Sequence, residues 1–209
     1  MTATKLSLYN GALRILGERK LASLTEDRLP RRLLDDAWDD GAVDYCLGQG
    51  QWAFATRTQL LDASTSIEPE FGPAYAFEMP DDWISTIAVC SDSYFRSALV
   101  GYEGETRIIY SDFSQIYVKF VSNDSTFGGD YSLWSRSFTN YVETYLASQI
   151  CMTLKQKEFE EKKLEMARRV AMNNTMQEKA AKVLPLGNWN SVRLRGGNRY
   201  YSATGNFPV

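Results

Sequence analysis

The residues of this chain best suited to metal or acid–base chemistry are five closely spaced aspartates: Asp35, Asp36, Asp39, Asp40 and Asp44. Carboxylates on adjacent helical turns can bind a hard cation, but such a run is more often a solvated helix face. The chain has no histidine, which removes the usual general base near neutral pH and the Ser-His and Cys-His nucleophile pairs. We therefore expect an acidic interface or channel face here, and no catalytic, cofactor or metal site.

A second group of oxygen ligands surrounds the Gly128-Gly129 pair: Asn123, Asp124 and Asp130. An EF-hand needs acids at alternate positions and a terminal glutamate, and this spacing does not match it. We predict a plain turn instead of a calcium loop.

Three cysteines, Cys46, Cys90 and Cys151, stand far apart beside apolar residues. An odd count without close pairs argues against a disulfide framework or a zinc site, so we expect small buried hydrophobes. No apolar run approaches the ~18 residues of a membrane span, and we expect synthesis in a reducing cytoplasm.

Residues 185–209 combine aromatic and basic side chains with several glycines and contain no acid. The arginines and aromatics are Trp189, Arg193, Arg195, Arg199, Tyr200 and Tyr201. Such residues anchor interfaces, while glycines raise the entropy of ordering. The composition predicts an extended arm that orders on a partner. The net charge is −3 and this arm carries three arginines, so residues 1–184 carry −6. An acidic body would repel a phosphate backbone, which favours a protein partner for the arm.

The N-terminal part of the chain has the apolar spacing of helices. A first helix is predicted over residues 4–16, capped by Thr2 or Thr4. Pro30 suits the first turn of a second helix, which the pattern extends to about Leu47. Its outer side would carry the five aspartates, and its inner side would carry Leu34, Trp38, Gly41 and Tyr45.

The middle of the chain changes to a period of two residues, which is typical of strands. Strand candidates are residues 54–61, 75–79, 83–90, 106–110 and 115–121. We expect the last two to pair as a hairpin around residues 111–114. Because strands and helices do not alternate, the sheet should be antiparallel.

Helical spacing returns near Ser135, which, with Ser137, is a candidate cap. A charged helix is predicted over residues 156–182, with Asn173-Asn174 as a candidate break or kink. Together the elements predict an α+β fold, a helical bundle with an inserted antiparallel β region and an extended C-terminal arm. The expected divisions are residues 1–52 and 134–184 for the two parts of the bundle, 53–133 for the β region and 185–209 for the arm.

Several short motifs follow one another through residues 6–155. They are Leu8-Tyr9-Asn10-Gly11-Ala12-Leu13 with Leu16-Gly17, then Ser23-Leu24-Thr25-Glu26-Asp27, Trp38, Val43-Asp44, Leu47, Trp52-Ala53-Phe54-Ala55, Arg57, Tyr75-Ala76-Phe77 and Pro80-Asp81-Asp82-Trp83. Their default roles are structural: a glycine inside a helix admits a close neighbour, large aromatics join layers, and Pro-Asp-Asp forms a turn. In this order the set resembles the head-to-tail adaptor proteins of tailed bacteriophages, in particular the tail tubular protein A group.

The resemblance implies a structural virion protein and no enzyme. It implies a dodecameric ring of identical subunits at the head-to-tail interface, which joins the capsid portal protein to the downstream tail (nozzle) protein. DNA would pass through the lumen without specific binding. The arm lies outside the resemblance, and it is its composition that leads us to expect docking on the portal. The alternative is a nucleic-acid-binding protein that uses the arm's Arg and Tyr residues. A third alternative is a metal-dependent enzyme acting through Asp35, Asp36 or Asp39.

Overall fold

The computed structural model of the chain describes residues 3–70, 72–96, 98–99, 101–154 and 161–178. These residues form an α+β fold of helices and antiparallel strands. In chain order the elements are α1 (Lys5–Ile15), α2 (Leu29–Asp39), α3 (Ala42–Gly48), β1 (Thr56–Asp62), β2 (Tyr75–Glu78), β3 (Trp83–Cys90), β4 (Glu103–Glu105), β5 (Ile108–Ser111), β6 (Gln115–Ser122), α4 (Arg136–Ile150) and α5 (Glu161–Glu178).

The first helix of each part of the bundle begins at a predicted cap. The Thr4 side chain accepts a hydrogen bond from the Ser7 amide, and the Ser7 hydroxyl lies 2.8 Å from the Thr4 amide, which closes a capping box at the start of α1. The Ser135 side chain accepts from the Phe138 amide at the start of α4. Each cap satisfies amide groups that have no partner within the helix.

The prediction of one continuous helix from Pro30 to about Leu47 is wrong. Gly41 lies between α2 and α3 with φ +85°, in the left-handed region that glycine adopts without steric strain. The break turns α3 so that Cys46 and Leu47 are buried, while Tyr45, predicted on the inner side, is 48% exposed.

The strands form two three-stranded antiparallel sheets within the part of the chain described. The first sheet has the order β1-β6-β3 and the second β2-β5-β4. The predicted hairpin between residues 106–110 and 115–121 is therefore wrong, because β5 and β6 belong to different sheets. Strand β6 pairs with β1 on one edge, where Thr56 lies opposite Val121, and with β3 on the other. Because both edges of β6 are occupied, β5 pairs with β2 and β4 instead.

Two apolar cores follow from this arrangement. The core between the sheets includes Phe77, Ile116 and Phe120. The core of the bundle surrounds Trp52, which is fully buried, and Val121 of β6 joins it from the opposite side of that strand. The first sheet, which contains β6, thus contributes side chains to both cores. Each of the three cysteines is buried, as predicted.

Helix α5 packs on the bundle through a narrow apolar stripe that includes Leu164, Ala167 and Ala171. It runs without interruption through Asn173-Asn174, so the helix does not break there; of the predicted break or kink, the break is wrong. Of the predicted helix, residues 156–160 and 179–182 lie outside the described part. The chain divides into two units, and the first, Met1–Thr175, contains α1 to α4 and both sheets.

Candidate functional site

The five aspartates do not form one surface. Asp36, Asp39, Asp40 and Asp44 are exposed around the break between α2 and α3. Asp35 lies apart from them: its carboxylate accepts a 2.8 Å hydrogen bond from the Tyr9 hydroxyl and pairs with Arg31 and, at 3.6 Å, with Lys5. The predicted place of Asp35 on the solvated outer side is therefore wrong, because it joins α2 to α1.

The contact of α1 with α2 also includes an aromatic pair. The rings of Tyr9 and Trp38 meet edge to face at 5.9 Å, and the Lys5 ammonium lies 5.2 Å from the Trp38 ring centre. Burial raises the pKa of Tyr9, and its hydrogen bond to Asp35 raises it further. Neutral Tyr9 is thus held as a donor, which anchors the N-terminal side of the acidic surface.

An open groove of about 330 Å³ runs beside the α2–α3 break. Asp39 and Asp44 line it together with Trp38 and Tyr131, whose rings meet edge to face at 5.8 Å. The Asn123 amide donates to Asp44 at 3.1 Å and so ties α3 to the loop after β6. Carboxylates next to aromatic rings suit a cationic side chain.

A larger cleft, of about 590 Å³, lies between α1 and α4. Its charged lining residues are Arg14, Lys20, Arg136 and Glu143. Lys20 is brought to the cleft by the segment after α1, which Asn10 holds through two hydrogen bonds to the Leu21 backbone, of 3.1 and 2.7 Å.

Glu143 forms part of the cleft wall, with its side chain 6% exposed, and pairs with Arg14 at 3.1 Å. Gly11 makes room for it, because a Cβ at position 11 would lie 2.1 Å from the Glu143 carboxyl carbon. The expectation that this helical glycine admits a close neighbour is thus confirmed. Burial raises the pKa of Glu143, while Arg14 and Arg136 oppose the shift.

The cleft was missed by sequence reasoning. Its signal was a lone glutamate within the apolar pattern of α4, since Glu143 follows the buried pair Tyr141 and Val142. A charged residue in such a position is rarely buried unless it is paired, and here the partner is distant in sequence.

The predicted turn at Pro80-Asp81-Asp82 is confirmed, because the Trp83 amide donates to the Pro80 carbonyl at 3.0 Å. Asp82 does more than form the turn: it pairs with Arg57 at 2.7 Å and accepts from the Ser122 hydroxyl. Burial alone would raise the pKa of Asp82, but the hydrogen bonds from Ser122 and Arg57 outweigh it and lower the pKa. This carboxylate therefore joins β1, β3 and β6.

The turn predicted around Gly128-Gly129 is also confirmed. Asp124 accepts from the Thr126 amide and hydroxyl, and Asp130 accepts from the Ser132 amide. Across the described ranges, no cluster of three or more His, Cys, Asp or Glu residues could hold a metal ion.

The arm residues Trp189, Arg193, Arg195, Arg199, Tyr200 and Tyr201 lie outside the described residues. Within the described part of the chain, no helix is long and apolar enough to cross a membrane. Comparison with protein-family models gives no match, and comparison with curated proteins gives none either.

Proposed function

We propose that this chain is a structural adaptor of a tailed-phage virion. Identical subunits would form a ring that joins the capsid portal to the tail and surrounds the DNA channel, without catalysis. The supporting observation is that residues carrying the resemblance make buried packing contacts and an ion pair inside the bundle and inside the first sheet.

Three of these motifs make structural contacts. The Trp52 indole donates to the Leu47 carbonyl at 2.8 Å, and its ring lies 4.7 Å from that of Phe138 in α4. Gly11 admits Glu143 between α1 and α4, and Asp82 holds Arg57 at the base of the first sheet. A ring adaptor needs a body that presents fixed surfaces to portal, tail protein and neighbours, and well-packed contacts of this kind suit that need.

The exposed charge also fits this role. Asp36, Asp39, Asp40 and Asp44 give the α2–α3 region a local negative field. In a ring, such a surface either orients a neighbouring subunit or repels the phosphates of passing DNA. In the proposed function the protein would lie at the head-to-tail interface of the virion after synthesis in the host cytoplasm.

The test mixes the full chain with its portal protein and measures the mass and symmetry of the product by electron microscopy and native mass spectrometry. We expect a monomer without portal and a closed dodecameric ring on it. A portal that stays bare, or a chain that only coats DNA, would overturn the proposal. Salt dependence separates the alternative, since binding through arginine–phosphate contacts weakens steeply with salt whereas apolar docking does not.

A further inference from the structure

We propose that the cleft between α1 and α4 receives the exposed aspartates of the α2–α3 region of a second copy of this chain. The inference rests on the ring proposed above and names the surfaces through which its subunits meet. It follows from the charge of the cleft, the charge of the α2–α3 surface and their positions on the body.

The cleft has an excess of positive charge on a chain that is negative as a whole. Arg14, Lys20 and Arg136 line it against a single carboxylate, Glu143. The Arg14 side chain is 56% exposed although it pairs with Glu143, and Lys20 and Arg136 are exposed. None of the three cations is enclosed, so each can reach a carboxylate of an incoming surface.

The same chain carries the complementary surface. Asp36 and Asp39 lie in the last turn of α2, Asp40 follows as its C-cap, and Asp44 lies on α3; all four are exposed. These four carboxylates, on two helices and the residue that ends the first, match the three cations of the cleft in sign.

The two surfaces lie on different sides of the body. Tyr9 contacts α2 from one side of α1, whereas Ser7 and Arg14 of α1 line the cleft. At 3.6 residues per turn, positions 7 and 14 share a face that is turned away from position 9. Because the cleft and the aspartates lie on different sides of the body, contact between copies is head-to-tail. Repeated head-to-tail contacts either close into a ring or continue as a filament.

Nucleic acid fits the cleft less well. Glu143 places a carboxylate in its wall, and the surrounding body is acidic. A phosphate backbone is bound by a continuous basic track, whereas this cleft offers a compact cluster. Exposed ion pairs contribute little free energy each, so the contact would guide assembly on a template while the free chain stays monomeric.

The test is zero-length carbodiimide cross-linking, which couples a carboxylate to an amine in direct contact. Full-length chains, half of them labelled with ¹⁵N, are mixed at low salt and high concentration, cross-linked and mapped by mass spectrometry. We expect mixed-isotope peptides that join Lys20 to the segment 36–44, and their yield should fall with added salt. Peptides of one isotope only, or mixed peptides spread equally over the exposed Lys163 and other lysines, would overturn the proposal.

Matched variants sharpen the result. Arg136→Glu should lower the mixed-isotope yield at Lys20 about tenfold or more, because like charges then meet. Arg19→Glu, which removes an exposed cation next to Lys20 but outside the cleft lining, should leave most of the yield. Equal losses in both variants would reduce the effect to net charge and contradict a specific cleft.

A directional mixture tests whether the cleft and the exposed aspartates are the two sides of one contact. Arg136→Glu chains keep an intact acidic surface, and Asp39→Lys/Asp40→Lys chains keep an intact cleft. Cross-links should run from Lys20 of the second chain to the aspartates of the first, and seldom in reverse. Equal yields in both directions would overturn the assignment. It would also be overturned if the native chain gave none of these cross-links but bound duplex DNA, and Arg136→Glu abolished that binding.

The two proposals fail separately. A ring on the portal without these cross-links would leave the adaptor function standing and remove the cleft contact. Cross-links without a ring on the portal would leave the cleft contact standing and remove the adaptor function.

Discussion

Gly128 lies where a side chain would meet backbone. A Cβ at this position would stand 2.3 Å from the Ser122 carbonyl oxygen and 2.9 Å from Leu47 Cδ1. Since the backbone oxygen cannot swing aside as a side-chain tip can, we expect Gly128→Ala to lower the free energy of unfolding by about 1–3 kcal/mol. Urea unfolding measures this. Gly101→Ala is the control, because nothing lies within 4 Å of its Cβ position, and it should change stability by about 0.5 kcal/mol or less.

Glu143 makes the stability of the chain depend on pH. Burial raises its pKa above the ordinary value of 4.5, so the folded state holds this proton more firmly than the unfolded state. Its contribution to the free energy of unfolding is therefore largest at low pH and falls as pH rises from the unfolded pKa through the folded pKa. Glu143→Gln cannot titrate. We expect the stability of the native chain minus that of Glu143→Gln to decrease through this window in urea unfolding at a series of pH values. An increase would show that Arg14 outweighs burial.

Residue types alone do not predict the partners of these side chains. Asp35 has the same chemistry as Asp36, and only the fold brings Tyr9 to one of them. Likewise the pairing of Arg14 with Glu143 joins residues far apart in sequence. Local physics predicted the caps and turns because their partners lie within a few residues.

At the scale of elements, Gly41 separates two opposite expectations. In a continuous helix, Gly41→Ala would stabilise the chain by about 1 kcal/mol through helix propensity. At φ +85°, alanine instead costs about 1–2 kcal/mol, and the site is otherwise open, with nothing within 4 Å. We expect Gly41→Ala to lower stability and Gly41→Asn to lower it less, because asparagine tolerates this conformation better. If Gly41→Ala raised stability instead, the result would support the prediction of one continuous helix.

The elements predicted best from the sequence were those defined by their own pattern. The strand predicted over residues 83–90 matches β3, Trp83–Cys90, and the first helix matches α1 to within one residue at each end. Strand pairing was not predictable in the same way. β5 and β6 are consecutive and both apolar, yet competition for the edges of β6 is decided by β1 and β3, which are distant in sequence.

At the scale of the whole molecule, helices and sheets share one unit because β6 serves two cores. Ile116, Val118 and Phe120 enter the core between the sheets, whereas Val121 enters that of the bundle. This pattern of alternate residues was visible in the sequence, but the presence of a second sheet was not. The charged surfaces of the bundle are thereby carried on one framework, as the proposed contact with several partners requires.

The arm, residues 185–209, is expected to act separately from this framework. Because α1 to α4 and both sheets lie in the unit that ends at Thr175, deleting the arm should leave the urea unfolding of the body unchanged. Attachment to the portal should be lost in co-sedimentation, since the arm's aromatics and arginines are of the types that dominate interface energies. Trp189→Ala with Arg195→Ala should weaken docking by roughly 2–5 kcal/mol if both are buried anchors, whereas Asn198→Ala in the same arm should change it little. Unchanged sedimentation of the truncated chain with the portal would assign docking to the body instead.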